Sequence, residues 1–307
     1  MVAEFQSWHQ PTLRQKPLRK RLHEGKASMD IKHILVATDL TDRSERALSQ
    51  AVDLAQGCSI TLLHVLLAGL PDALRMRLQT EIESFLDESA TRMRARPGSG
   101  DIRTLVLSGD PYSTIIVEGI MRRADLLVVG EPAKLRRQDL FLGTTAERVA
   151  RFTDRPVLVV KHGGHGGYSR VLVAFDGSEA AVRALDAALA LSPDAEFRIT
   201  HAWWPQSAAL GLDDEKRQGS VKQNENVRAQ VEHAVKKAAT TSRPSKKLTV
   251  HLVENNPYVA MRHDSEWADL LVMGTHSKAR LAMSTEIGKL ALHMLSEAPC
   301  DMLLSPP

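Results

Sequence analysis

The sequence predicts an α/β protein built as two tandem doubly wound, Rossmann-like, parallel-sheet domains. Three observations carry this. Short apolar runs alternate with amphipathic helical stretches along the whole body. The runs are continuous rather than alternating, as in strands buried on both faces of a parallel sheet. The series also occurs twice: LVATD (35–39) is answered by LVAFD (172–176), and ADLLVVG (124–130) by ADLLVMG (268–274). A duplication of this length gives tandem domains, whereas a solenoid needs many short repeats.

The first copy opens with a strand predicted over Lys32–Thr38. A helix follows over Asp42–Gln56, with Ala47, Leu48, Ala51, Leu54 and Ala55 on one face. A second strand is expected at Ser59–Leu66 and a long amphipathic helix at Pro71–Arg94, closed by the turn Pro97-Gly98-Ser99-Gly100. Ile102–Leu107 reads as a third strand. Asp110-Pro111 opens a helix running to about Arg123. Asp125–Gly130, a helix over Gly143–Thr153 and a strand over Pro156–Lys161 finish the unit.

His162–Tyr168, rich in glycine, reads as a flexible linker. The second copy follows in the same order. Arg170–Phe175, Ser178–Leu191, Glu196–Ala202, a helix near Ser220–Thr241, Leu248–Val253, Pro257–Trp267, Asp269–Gly274, Gly288–Ser296 and Cys300–Ser305 complete it. The expected organisation is a basic tail over 1–28, domain 1 over 29–161, the linker over 162–168 and domain 2 over 169–307. Right-handed crossovers and the strand order 3-2-1-4-5 would set the ends of the first and fourth strands, Asp39 and Gly130, side by side where the order reverses. Open α/β sheets bind ligands there.

Composition narrows the function. Only 4% of residues are aromatic, so the core is aliphatic. No apolar run approaches the roughly 20 residues of a membrane span. Cys58 and Cys300 are the only cysteines, which argues against a disulfide framework and fits a reducing cytoplasm. The net charge is +3, yet residues 1–28 hold six Lys/Arg against two Glu, so the body carries −1. The basic character belongs to an aperiodic tail, read as disordered, and this argues against a nucleic-acid face. The histidines form no helical H-x3-H pair and no HExxH, so no metal site is expected. Paired carboxylates, a nucleophile elbow and triad order are likewise missing.

Neither GxxxxGK[ST] nor GxGxxG is present. What remains is Gly130-x2-Ala133-x9-Gly143-Thr144, with Asp39 across the sheet edge. Gly143 would let backbone approach a phosphate, and Thr144 and Thr145 would offer hydroxyls and N–H groups at a helix N-terminus, which favours negative charge. Together with the strings GDPYSTIIVEGIMRRADLLVVG and ERVARFTDRPVLVV, this spacing resembles the universal stress protein family, and the resemblance covers both copies, essentially residues 30–307. In that family G-x2-G-x9-G-[ST] marks the ATP-binding members. Ala133 replaces the second glycine here and adds a Cβ facing the loop interior. The tandem arrangement is similar to that of the two-domain members.

The resemblance implies a stress-response protein that holds an adenine nucleotide (ATP, or ADP or AMP) non-covalently in domain 1. The implied role is sensing or regulation without efficient catalysis. The implied site is Ala37, Thr38, Asp39, Val65, Val129, Gly130, Ala133, Gly143, Thr144 and Thr145. In domain 2 the matching positions are Ala174, Asp176, Met273, Gly274, Ser277, Gly288 and Lys289. There the loop is one residue longer, Ser277 stands for the second glycine, and Lys289 stands where Ser or Thr is expected. Lys134, Arg136 and Arg137 lie inside the first loop, as a phosphate lid or as a solvated charged face. In single-domain relatives the last strand commonly joins two subunits, so PVLVV and DMLLS would pair within one chain as an internal pseudo-dimer. A further homodimer, a weak ATPase and an interaction protein without nucleotide remain the alternatives.

Overall fold

A computed structural model of the chain describes residues 31–131, 144–163, 166–203, 225–226, 228–233, 236, 248–275 and 287–307. The expected tail, the loop positions Ala133, Lys134, Arg136, Arg137 and Gly143, Ser277, and most of the helix expected at Ser220–Thr241 lie outside these residues.

The elements are β1 (His33–Thr38), α1 (Asp42–Ala55), β2 (Ser59–Leu67), α2 (Asp72–Arg94), β3 (Ile102–Gly109), α3 (Pro111–Met121), β4 (Leu126–Gly130), α4 (Thr145–Phe152) and β5 (Val157–Val160). The second half contributes β6 (Arg170–Ala174), α5 (Glu179–Leu191), β7 (Glu196–Trp203), β8 (Leu248–Glu254), α6 (Pro257–Asp264), β9 (Leu270–Gly274), α7 (Lys289–Glu297) and β10 (Asp301–Ser305). The one helix that falls clearly short of expectation is α6, which stops at Asp264 rather than Trp267. There the hydroxyl of Ser265 donates to the carbonyl of Arg262 at 2.8 Å, while the Asp264 carboxylate turns inward to accept from Thr200 at 3.0 Å.

The ten strands of the described residues form one sheet in the order β3-β2-β1-β4-β5-β10-β9-β6-β7-β8. Each half has the expected doubly wound order. The halves join through β5 and β10, the only antiparallel pair among the described residues, with Leu158 opposite Leu303. The internal pseudo-dimer is therefore a continuous sheet.

Period-two alternation explains why the strands read as unbroken apolar runs. Ile34, Val36, Leu126, Val128, Leu158, Val173, Val272 and Leu303 face one side, where α1, α2 and α5 pack. Leu35, Leu127, Val129, Val157, Leu172, Met273 and Leu304 face the other, beneath α3, α4, α6 and α7. Each face carries one core that runs through both halves.

The segment read as a flexible linker is tied down where the structure describes it. Asp301 is 3% exposed. Its Oδ1 accepts from the N–H groups of Lys161 (2.7 Å) and His162 (3.0 Å), and its Oδ2 accepts from the Tyr168 hydroxyl (2.8 Å). Gln50 of α1 also donates to the Gly166 carbonyl at 3.0 Å. Glycine content alone did not register the buried Tyr168 that follows it. Burial pushes the Lys161 ammonium below its ordinary value, opposed first by the charge of Glu131. Its Nζ donates to the Ala298 carbonyl at 2.7 Å, at the end of α7.

Candidate functional site

β1 and β4 are neighbours in the sheet, with Ala37 opposite Val129 and Thr38 opposite His64 of β2. Their C-terminal ends open onto a cavity of about 330 Å³ at the point where strand order reverses. It brings together Ala37, Thr38, Asp39, Val65, Val129, Gly130, Thr144 and Thr145. Every expected domain 1 position that the structure describes is therefore in one place. Sequence reasoning missed Arg43, Glu131 and Ile115, which also line it. Arg43 could have been found from its place in the first turn of α1, four residues after Asp39.

Asp39 sits in a tight turn. Its Oδ1 accepts from the Thr41 hydroxyl at 2.6 Å and the Thr41 N–H at 3.2 Å. Burial alone would raise its pKa, but the hydrogen bonds from Thr41 and Ser44 outweigh that and hold the carboxyl below its usual range. Leu40 pays for this turn with a left-handed backbone, φ 65°. The position equivalent to Leu40 in the second half is Gly177, φ 73°, which suffers no such penalty. His64 Nδ1 lies 2.9 Å from the Thr38 carbonyl and fixes the end of β1. Burial pushes its imidazole below the ordinary value, against the Thr38 carbonyl and the Asp39 charge. His201 repeats the contact with Phe175 at 2.8 Å.

Gly130 has a packing reason of its own. A Cβ there would meet the Arg43 carbonyl at 3.0 Å and the Ser44 nitrogen at 3.1 Å. Gly274 is in the same position against Ala180 and Ala181, with approaches of 2.7–2.9 Å. Both glycines let a strand end touch the first turn of a helix.

The N-terminus of α4 is closed by a capping box. The Thr144 Oγ1 accepts from the Glu147 N–H (3.3 Å), and the Glu147 carboxylate accepts from the Thr144 N–H (3.1 Å). The Thr144 N–H is thus already used, a departure from the expected phosphate donor. Thr145 and Ala146 line the cavity at this helix start, where backbone N–H groups have no intrahelical partners.

In the second half, Ala174, Asp176, Met273, Gly274 and Gly288 line an equivalent cavity of about 280 Å³. Lys289 does not join them: it is exposed as the first residue of α7, and Leu290 faces the cavity instead. Among the described residues no group of three His, Cys, Asp or Glu could hold a metal ion. Also among them, no helix is long and apolar enough to cross a membrane.

Comparison with known proteins agrees with this architecture. The model of the universal stress protein family matches twice, over residues 30–161 and 167–306. The stress response protein NhaX of Bacillus subtilis is 27% identical over 162 residues, 42% of this chain and 96% of that protein. A universal stress protein of Methanocaldococcus jannaschii is 30% identical over 139 residues, 42% of this chain and 82% of that protein. Over the whole fold, the crystal structure of a universal stress protein from Archaeoglobus fulgidus superposes with a TM-score of 0.65. It is 20% identical and covers 91% of this chain and 97% of that one. Two successive matches to one family model, on two halves joined through their last strands, show that the chain belongs to the universal stress protein family as a tandem, two-domain member.

Proposed function

We propose that the domain 1 cavity binds an adenine nucleotide, ATP or its ADP or AMP form, as a sensing or regulatory state in a stress response. The observation that carries this is the meeting of Ala37–Asp39, Val65, Val129, Gly130, Thr144 and Thr145 around one cavity at the switch point. Val65, Val129 and Ile115 supply apolar walls for a base. Asp39, ionised and held by Thr41, is placed to accept from an amino or ribose hydroxyl group. The start of α4 and Arg43 supply partial and full positive charge for phosphates.

Binding without efficient turnover fits the same geometry. His64 has its Nδ1 against a carbonyl, and the Glu147 carboxylate is spent on the helix cap. The proposal also sets the protein in the cytoplasm. Cys58 and Cys300 form no disulfide, and burial pushes the Cys300 thiol up to about 12, far from reactive.

Equilibrium dialysis of the full chain against ATP, ADP and AMP tests the reading. Saturable binding that Asp39→Ala weakens supports it. No binding of any of the three at millimolar concentration sinks it, and leaves an interaction protein without nucleotide. Phosphate release well above a blank, lost in Asp39→Ala, would make the protein a weak ATPase instead.

A further inference from the structure

Among the described residues the sheet ends at β3 on one side. The Ile60 N–H donates to the Asp101 carbonyl, and the parallel register with β2 carries that pattern along the strand. Residues 103, 105, 107 and 109 therefore point their backbone groups at β2, while Thr104, Val106 and Ser108 point theirs away. No described residue bonds those outward N–H and C=O groups. Only at Ile102 is an outward carbonyl covered, by the Arg94 guanidinium. β3 is eight residues long, contains no Pro or Lys, and has one charge, Arg103. Edge strands are ordinarily shortened, charged or bulged against pairing.

The faces beside this edge are unfinished too. Thr114 of α3 lies beside Gly109, where a Cβ would meet its hydroxyl at 2.6 Å. Glu118 and Met121 follow Thr114 at helical spacing, so they share the flank of α3 that borders β3. Met121 is 74% exposed. Leu105 and Leu107, on the same face of the sheet, are only partly buried. On the opposite face, Asp87 of α2 accepts from the Thr104 hydroxyl at 2.7 Å. Met76, three turns earlier on that flank of α2, is 65% exposed.

We propose that β3 is the interface for a second copy of this chain, paired antiparallel about a two-fold axis at Val106. Val106 then lies opposite its own copy and Thr104 opposite Ser108, so the outward groups satisfy one another. Leu105 meets Leu107 of the copy as a close pair on one face. Arg103, on that same face, falls opposite Gly109 of the copy, whose missing side chain leaves room, and beside its Asp110. The Arg103 and Asp110 side chains are 76% and 49% exposed, and the symmetry makes their pairing twice. This self-complementary charge singles out a second copy as the occupant. The contact extends the sheet past β3 and is independent of what the domain 1 cavity holds.

Sedimentation equilibrium of the full chain, with hydrogen exchange of residues 102–109 on the same samples, tests this. At tens of micromolar the mass is expected to be twice that of one chain. Exchange at 102–109 is expected to slow about tenfold or more between dilute and concentrated samples. Ser108→Pro removes an outward N–H at an exposed edge position, where sheets tolerate proline. It is expected to return the protein to monomer with its far-UV circular dichroism intact. Arg103→Glu sets like charges together and is expected to raise the dissociation constant about tenfold. A chain that stays monomeric at several hundred micromolar overturns the proposal. So does a dimer that Ser108→Pro leaves intact, or a wild-type dimer without slowed exchange at 102–109, since either places the contact elsewhere. An unchanged constant in Arg103→Glu overturns the two-fold register.

Discussion

The hydroxyl of Tyr168 donates to the carboxylate of Asp301 at 2.8 Å, across 133 residues of chain. The same carboxylate receives the backbone N–H groups of Lys161 and His162. One side chain of the last strand thus fixes the path by which the chain leaves domain 1 and enters domain 2. Tyr168→Phe removes one hydrogen bond to a buried charge and is expected to cost about 1.5–3 kcal/mol. Asp301→Ala strands two buried donors and one part-buried donor, and about 3–5 kcal/mol is expected by analogy with breaking a buried pair. Urea denaturation followed by circular dichroism gives both values. Equal, small losses would mean that the junction is not held here.

Gly130→Ala and Gly274→Ala should each destabilise the protein by about 1–3 kcal/mol, because the new methyl meets helix backbone that cannot rotate away. Gly167→Ala is the control, since a Cβ there meets nothing within 4 Å. Thermal melts separate the three. A Gly130→Ala protein as stable as wild type would show that the first turn of α1 can retreat.

His64 makes stability depend on pH in a defined direction. Its folded pKa lies below the ordinary 6.5 because burial disfavours the charged ring. The unfolded chain therefore takes up a proton that the folded one resists. The contribution of neutral His64 is full above about pH 6.5 and is lost as pH falls through the folded value. His64→Gln should flatten the decline between about pH 7.5 and 5.5. Asp39, whose folded pKa is depressed, acts in a lower window. Its contribution is present above the ordinary 3.8 and is lost as pH falls through the folded value. An unchanged slope in His64→Gln refutes the assignment.

Thr144→Val removes the acceptor that caps α4 and should cost about 1 kcal/mol of stability. If the nucleotide reading is right, it also weakens ATP by disordering the helix start. A loss of stability with ATP affinity intact would separate the cap from the site.

Much of this was legible in the residues. Alternation of continuous apolar runs with helices led to the doubly wound halves, and the LVATD and ADLLVVG echoes led to the duplication. Asp39 and Gly130 did meet at the switch point. Gly130 was less legible. A glycine before a loop reads as room for a ligand, yet its nearest obligation is to the backbone of α1. Such an approach depends on how a helix lies on a sheet, and no local pattern encodes that. Arg43 and Ile115 were missed for the same reason: they reach the cavity from helices whose own periodicity says only which face is buried. His162–Tyr168 read as loose from its glycines, because the partner that orders it lies at Asp301.

The antiparallel seam between β5 and β10 has a consequence for how the molecule can be divided. Each half on its own would present a strand edge of bare N–H and C=O groups, and two apolar surfaces cut through the middle. An excised half would recover its partner by pairing with a copy of itself, or would aggregate. The intact chain holds the two edges together by covalent tether, at a local concentration that no dilution lowers.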